Sequence, residues 1–134
     1  MEPVPYETII DTDQTLGGET EGPITVKSGA TLTLVGAHEG SVALESSATL
    51  VVLGILRGGL DIGSLGTAIV RGEVSGPIEI RVAGTLVVEE NGAVTGDVSN
   101  FGSFTNKGVR EGYVEGRTPD DRPGATEISH GHGR

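Results

Sequence analysis

The chain alternates apolar and polar residues in short runs such as "SVALE" (Ser41–Glu45) and "TLVVLG" (Thr49–Gly54), each a few residues long and bounded by glycine. Alternation with a period of two places one set of side chains on a buried face and the other outside, so these runs predict short half-buried strands. The runs recur at a fixed interval. Ile24, Val42, Leu60 and Ile78 form one apolar column, spaced by 18, and Val98 continues it after a two-residue insertion. Val26, Leu44, Ile62 and Ile80 form a second column, broken by Asn100, and Leu34, Val52, Val70 and Val88 form another, broken by Asn106. A Gly-x-x-x-Gly step keeps the same time, with glycine pairs at 18 and 22, 36 and 40, 54 and 58, 72 and 76, 92 and 96, and 112 and 116.

Three short strands in each repeat of about 18 residues predict a β-solenoid, whose successive coils stack and satisfy one another's backbone hydrogen bonds. The expected fold is all-β, a single-stranded right-handed parallel β-helix of about six coils, roughly 29 Å long at about 4.8 Å per coil. Residues 1–17 are expected to form an N-terminal segment or cap, 18–116 the solenoid and 117–134 a flexible C-terminal tail. Inward positions are Ile24, Val26, Leu32 and Leu34 with their equivalents, plus Leu56, Val74, Val94 and Val114 from the third strand. His38 falls in that last column, where the expectation is a semi-buried, hydrogen-bonded and inert residue.

Composition narrows the class. With 35% apolar and 3% aromatic residues and 23 glycines, an ordinary aromatic-rich core is not available, yet the clustered Val, Ile and Leu runs speak against disorder. Cysteine is absent, which excludes disulfides and thiolate metal sites. A formal charge of −10 argues against nucleic acid and anionic membranes as partners, and suits solubility or a basic protein partner. No apolar run is long enough for a membrane span or signal peptide, so the expected location is cytoplasmic.

"RGEVSGPIEI" (Arg71–Ile80) and "NGAVTGDV" (Asn91–Val98) resemble the recurrent G-x-V-x-G-x-I/V step of the bactofilins, bacterial polymer-forming cytoskeletal proteins. The resemblance covers roughly Gly36 to Val98, with weaker echoes to Gly116. It implies a right-handed triangular β-helix that joins end to end into filaments without nucleotide. The stretches "VGAHEG" and "GGETEG" lack the usual valine, and "VSNFGSFTNKG" places asparagine at two inward positions.

The alternative architecture is the left-handed hexapeptide helix of many acyltransferases, since 18 is three times six. That motif wants small residues where Ile24, Val42, Leu60 and Ile78 stand, which favours the right-handed form.

The outside offers surfaces. Thr49, Thr67 and Thr85, within a hydroxyl ladder from Thr31 to Ser103, run beside stacked Val51, Ile69 and Val87. This file is a candidate interaction face, for a partner, a sister molecule or a folded-back terminus, against the plainer reading of ordinary strand propensity. Asp61 and Glu79 stack as like charges. The ends of a solenoid expose unpaired edges, so Tyr6, Ile9 and Ile10 at one end and Val109, Tyr113 and Val114 at the other are candidate end contacts.

No catalytic residue, cofactor site or metal site is expected. "DTD" (Asp11–Asp13) lacks the rest of a calcium loop, and His130 and His132 in "HGHG" supply only two ligands. The reading is a non-enzymatic structural protein whose partner is itself, in a homo-oligomer or filament. The second reading is an acidic inhibitor or immunity protein that sequesters a basic partner such as a toxin.

Overall fold

The computed structural model describes residues 8–128, which wind into seven turns of three short strands each. The first turn holds β1 (Thr8–Ile10), β2 (Gln14–Leu16) and β3 (Glu19–Glu21); the second holds β4 (Ile24–Val26), β5 (Thr31–Leu34) and β6 (Ala37–Glu39). Next come β7 (Val42–Leu44), β8 (Thr49–Val52) and β9 (Ile55–Arg57), then β10 (Leu60–Ile62), β11 (Thr67–Val70) and β12 (Glu73–Ser75). The fifth turn is β13 (Ile78–Ile80), β14 (Thr85–Val88) and β15 (Ala93–Thr95). The sixth is β16 (Val98–Asn100), β17 (Ser103–Asn106) and β18 (Val109–Glu111). The seventh is β19 (Val114–Gly116), β20 (Asp120–Asp121) and β21 (Thr126–Ile128).

Every third strand joins the same sheet, giving three parallel seven-stranded sheets around one core. The columns expected from the sequence are the registers observed: Val42 pairs with Leu60 and Leu60 with Ile78, Leu44 with Ile62 and Ile62 with Ile80, Val52 with Val70 and Val70 with Val88. Inward residues are almost all Ile, Leu, Val and Ala, with Phe104 the one buried aromatic among the described residues. Slim aliphatic side chains suit this interior, because the three walls approach too closely for wide rings on every level.

Close stacking also explains the glycines. A Cβ on Gly54 would collide with the carbonyl oxygens of Val35 and Gly36 in the turn before, and Gly72 meets Leu53 and Gly54 in the same way. The repeated Gly-x-x-x-Gly step therefore marks corners where backbone touches backbone.

The solenoid is longer at both ends than the sequence pattern indicates. Seven turns are formed, not about six. Part of the expected N-terminal cap is the first turn, since Ile10 pairs with Val26 and Leu16 with Leu34. Part of the expected flexible tail, 117–134, is ordered as strand: Asp121 pairs with Asn106, and Thr126, Glu127 and Ile128 pair with Val109, Arg110 and Glu111.

The late drift of the period is local. Glu73 to Ala93 spans 20 residues, and the next step, Ala93 to Val109, takes only 16. The glycines that continue the column are thus Gly108 and Gly112, stacked on Gly92 and Gly96. Val114, expected inside the third sheet, lies instead in the first sheet over Val98, and Arg110 takes the third-sheet position over Val94.

Candidate interaction surfaces

His38 is buried, at 1% exposure, between Thr20 and Leu56 in the third-sheet column. Its Nε2 lies 2.7 Å from the Gly22 carbonyl, which can only accept, so Nε2 carries the proton. Nδ1 then accepts from the Thr20 hydroxyl at 2.7 Å. Both ring nitrogens are satisfied inside the protein, and the arrangement holds the first two turns together at a level where the column changes from apolar to polar. A semi-buried rim position was expected; the ring is fully enclosed.

The opposite end of the core is also closed by polar side chains. Asn100 donates from Nδ2 to the Arg117 carbonyl at 3.0 Å and accepts from the Gly102 N–H at 3.1 Å. Asn106 donates to Asp121 Oδ1 at 3.0 Å and to the Thr126 carbonyl at 3.1 Å, while the Gly108 N–H donates to its Oδ1 at 3.0 Å. Arg110 grips the Asp121 carboxylate with Nε and Nη2, each at 2.9 Å. The Arg110 hydrogen bond, with a smaller one from Asn106, holds the Asp121 carboxyl below its usual range against the opposing effect of burial. What looks in the sequence like a degenerate repeat is a polar plug. The local signal was there: each Asn is followed two residues later by a glycine whose N–H it caps.

Of the expected end contacts, Ile10 is buried and belongs to the core, and Val109 sits between β15 and β21, one turn inside the end. Val114 stands on the terminal strand of the first sheet, half-buried against the core. Ile9 and Tyr113 are exposed, at 46% and 43%. Tyr6, His130 and His132 lie outside the described residues.

The residues of the candidate face stack in two files on the outside of the second sheet. Thr31, Thr49, Thr67, Thr85 and Ser103 stack in register, as do Thr33, Val51, Ile69, Val87 and Thr105. Across the corner leading into this sheet, Leu65, Val82 and Phe101 stand out at 66%, 69% and 48% exposure on three consecutive turns. The sequence reading missed these three because they share no column, standing 17 and 19 residues apart. Leu65 also adopts φ 66°, a left-handed conformation that costs a non-glycine residue roughly 1–2 kcal/mol.

The first sheet differs. Asp61 and Glu79 are neighbours in register, as expected, but Arg81 bonds Asp61 through Nε and Nη2, each at 2.9 Å, and reaches Glu79 at 3.8 Å. The like-charge repulsion is thereby relieved. The Asp61 hydrogen bond and the attraction of both carboxylates raise the Arg81 guanidinium above its ordinary value.

No known family, curated protein or solved structure matches this chain. Among the described residues, no helix is long and apolar enough to cross a membrane.

Proposed function

We propose that the chain is a non-enzymatic structural rod that assembles end to end, as the bactofilins it resembles do. One observation carries this reading. On the first sheet each turn donates forward to the next: Thr8 to the Pro23 carbonyl, Ile24 to Ser41, Val42 to Gly59, Leu60 to Pro77, Ile78 to Asp97 and Val98 to Tyr113. Val114 is the next donor, and among the described residues no eighth turn follows it.

On the second sheet the donors run backwards, from Val35 to Leu16, Leu53 to Leu34, Arg71 to Val52, Glu89 to Val70, Lys107 to Val88 and Arg122 to Asn106. Gly17 is their counterpart in the first turn, and no described turn precedes it. A second copy stacked on the end continues both ladders at the ordinary strand spacing, and edge pairing of this kind needs no nucleotide or cofactor.

Charge sets the conditions. Residues 8–21 carry Asp11, Asp13, Glu19 and Glu21 and no Lys or Arg; residues 114–128 carry four carboxylates and two arginines. Stacked ends therefore repel, and screening lengthens the assemblies as the Debye length falls from about 8 Å at physiological salt to about 3 Å at 1 M.

The second reading, capture of a basic protein, is favoured by the same acidic first turn and by Glu39, which joins Glu19 and Glu21 around a surface hollow that Arg57 also lines. Its salt dependence has the opposite sign. Sedimentation velocity and electron microscopy across salt separate the two: growth of rods with salt supports assembly, and a monomer at every salt and protein concentration overturns it.

A further inference from the structure

The outer face of the second sheet is uncharged over five turns in a protein of formal charge −10. The two files named above contain only Thr, Ser, Val and Ile, and acids appear just past their ends, at Asp13 before β2 and at Asp120, which pairs with Thr105. The outer faces of the other two sheets are interrupted by charge: Asp61, Glu79 and Glu115 on the first, and Glu19, Glu39, Arg57, Glu73 and Glu111 on the third. Beside the uncharged strip, Leu65, Val82 and Phe101 stand exposed on three consecutive turns, at different places in the corner, as an irregular ridge. Leu65 is the strained member, since a large apolar side chain stands two-thirds exposed on a left-handed backbone. The same left-handed position is held by Gly29 in the second turn, Ser47 in the third and Ala83 in the fifth, so Leu65 is the one large apolar residue among them. A large apolar side chain held this far into solvent beside an uncharged strip fits a contact surface.

From this we infer that the strip and ridge are a lateral docking face for a second copy of this chain, so that rods pair side by side through their second sheets. Charge selects the occupant. Two copies carrying the same net negative charge approach with least repulsion where neither presents a carboxylate, whereas a basic partner gains nothing from an uncharged strip.

Area sets the conditions. Five strands at about 4.8 Å and four residues at about 3.3 Å give a strip of roughly 300 Å², well under the ~800 Å² per partner that a stable pair buries. A single pair of short rods is therefore weak. End-to-end stacking makes the strip continuous and multiplies the contacts, so the strength of lateral pairing rests on the assembly reading above.

The chain has no cysteine, so one introduced thiol reports this geometry cleanly. Ile69→Cys lies mid-strip; Thr95→Cys, exposed on the third sheet, is the control. Under mild oxidation of the full chain, Ile69→Cys should give at least about tenfold more disulfide-linked dimer than Thr95→Cys, since only apposed strips bring the thiols within bonding distance. Adding Val87→Lys or Leu65→Gly to Ile69→Cys should reduce the dimer severalfold, with an unchanged circular dichroism spectrum.

Long rods with equal cross-linking at the two positions overturn lateral pairing and leave end-to-end assembly standing. Strong Ile69→Cys cross-linking without long rods keeps the face and overturns the reading of the ends. Neither rods nor preferential cross-links overturns both. An Ile69→Cys thiol that a maleimide cannot reach in dilute monomer also overturns the inference, because the face is then covered by its own chain.

Discussion

Arg110 and Asp121 meet in a two-pronged ion pair, both bonds 2.9 Å long, that ties the sixth turn to the seventh. Arg110 occupies the column that is Leu56, Val74 and Val94 in earlier turns, so a charge stands where the core would otherwise continue. The pair interrupts the hydrophobic column at the sixth turn.

Acid should loosen this end first. Asp121 is held below its ordinary range when folded, so its contribution is present above the unfolded carboxylate value near 4 and is lost as pH falls through the lower folded value. Hydrogen exchange on the amides of Gly112, Arg122 and Thr126, which bond across the last two turns, should accelerate there before the central turns respond. Asp121→Asn should produce the same local loosening at neutral pH, at a cost of about 1 kcal/mol for a partly exposed pair. Equal exchange in wild type and variant would contradict the assignment.

His38 supports a prediction on burial. His38→Leu matches the Leu56 below it but leaves the Thr20 hydroxyl and the Gly22 carbonyl without their partner, a cost of about 1–3 kcal/mol. Thr20→Val added to His38→Leu should recover part of that loss. A chemical-denaturation cycle over the four proteins measures the coupling, and strict additivity would show that the bonds carry no weight.

The glycine columns are graded by space. Gly54→Ala drives a methyl into the Val35 and Gly36 carbonyls and should cost about 3 kcal/mol, the upper end of overpacking. Gly59→Ala meets only Pro77, its nearest atom 3.5 Å away, and should change the melting temperature little. If the two variants melt alike, backbone contact is not what selects glycine at the corners.

Leu65→Gly should stabilise the isolated chain by up to about 1 kcal/mol through relief of its left-handed backbone, even as it removes an apolar side chain. A melting curve of the dilute protein reads this directly, and a loss of stability would mean that Leu65 packs usefully within its own chain.

The phase of the whole rod is tested by one pair of substitutions. Leu56→Asp buries an unpaired charge at a fully enclosed position and should abolish folding, while Val51→Asp lies on the outer file and should leave the circular dichroism spectrum intact. Unfolding by Val51→Asp would reverse inside and outside.

The sequence by itself determined the stacking period, the inward columns and the outer hydroxyl file, because in parallel coils a fixed separation along the chain becomes a fixed neighbour in space. Ile24, Val42, Leu60 and Ile78 fall on one line from their spacing alone, as their register shows. Tertiary structure alone decided how far the stacking runs through the described residues, 8–128. Corners absorb insertions and deletions without altering the alternation within strands, so a period of 18 that becomes 20 and then 16 hides the true partners of Val114, Arg110 and Asp121. It also decided what closes the core, since an asparagine or histidine in an apolar column reads as an interruption until its hydrogen-bond partners, some sixteen to twenty residues distant, are brought alongside. Leu65, Val82 and Phe101 follow the same rule, because they stand 17 and 19 residues apart, off any common column, and only the folded chain brings them to one edge of the second sheet.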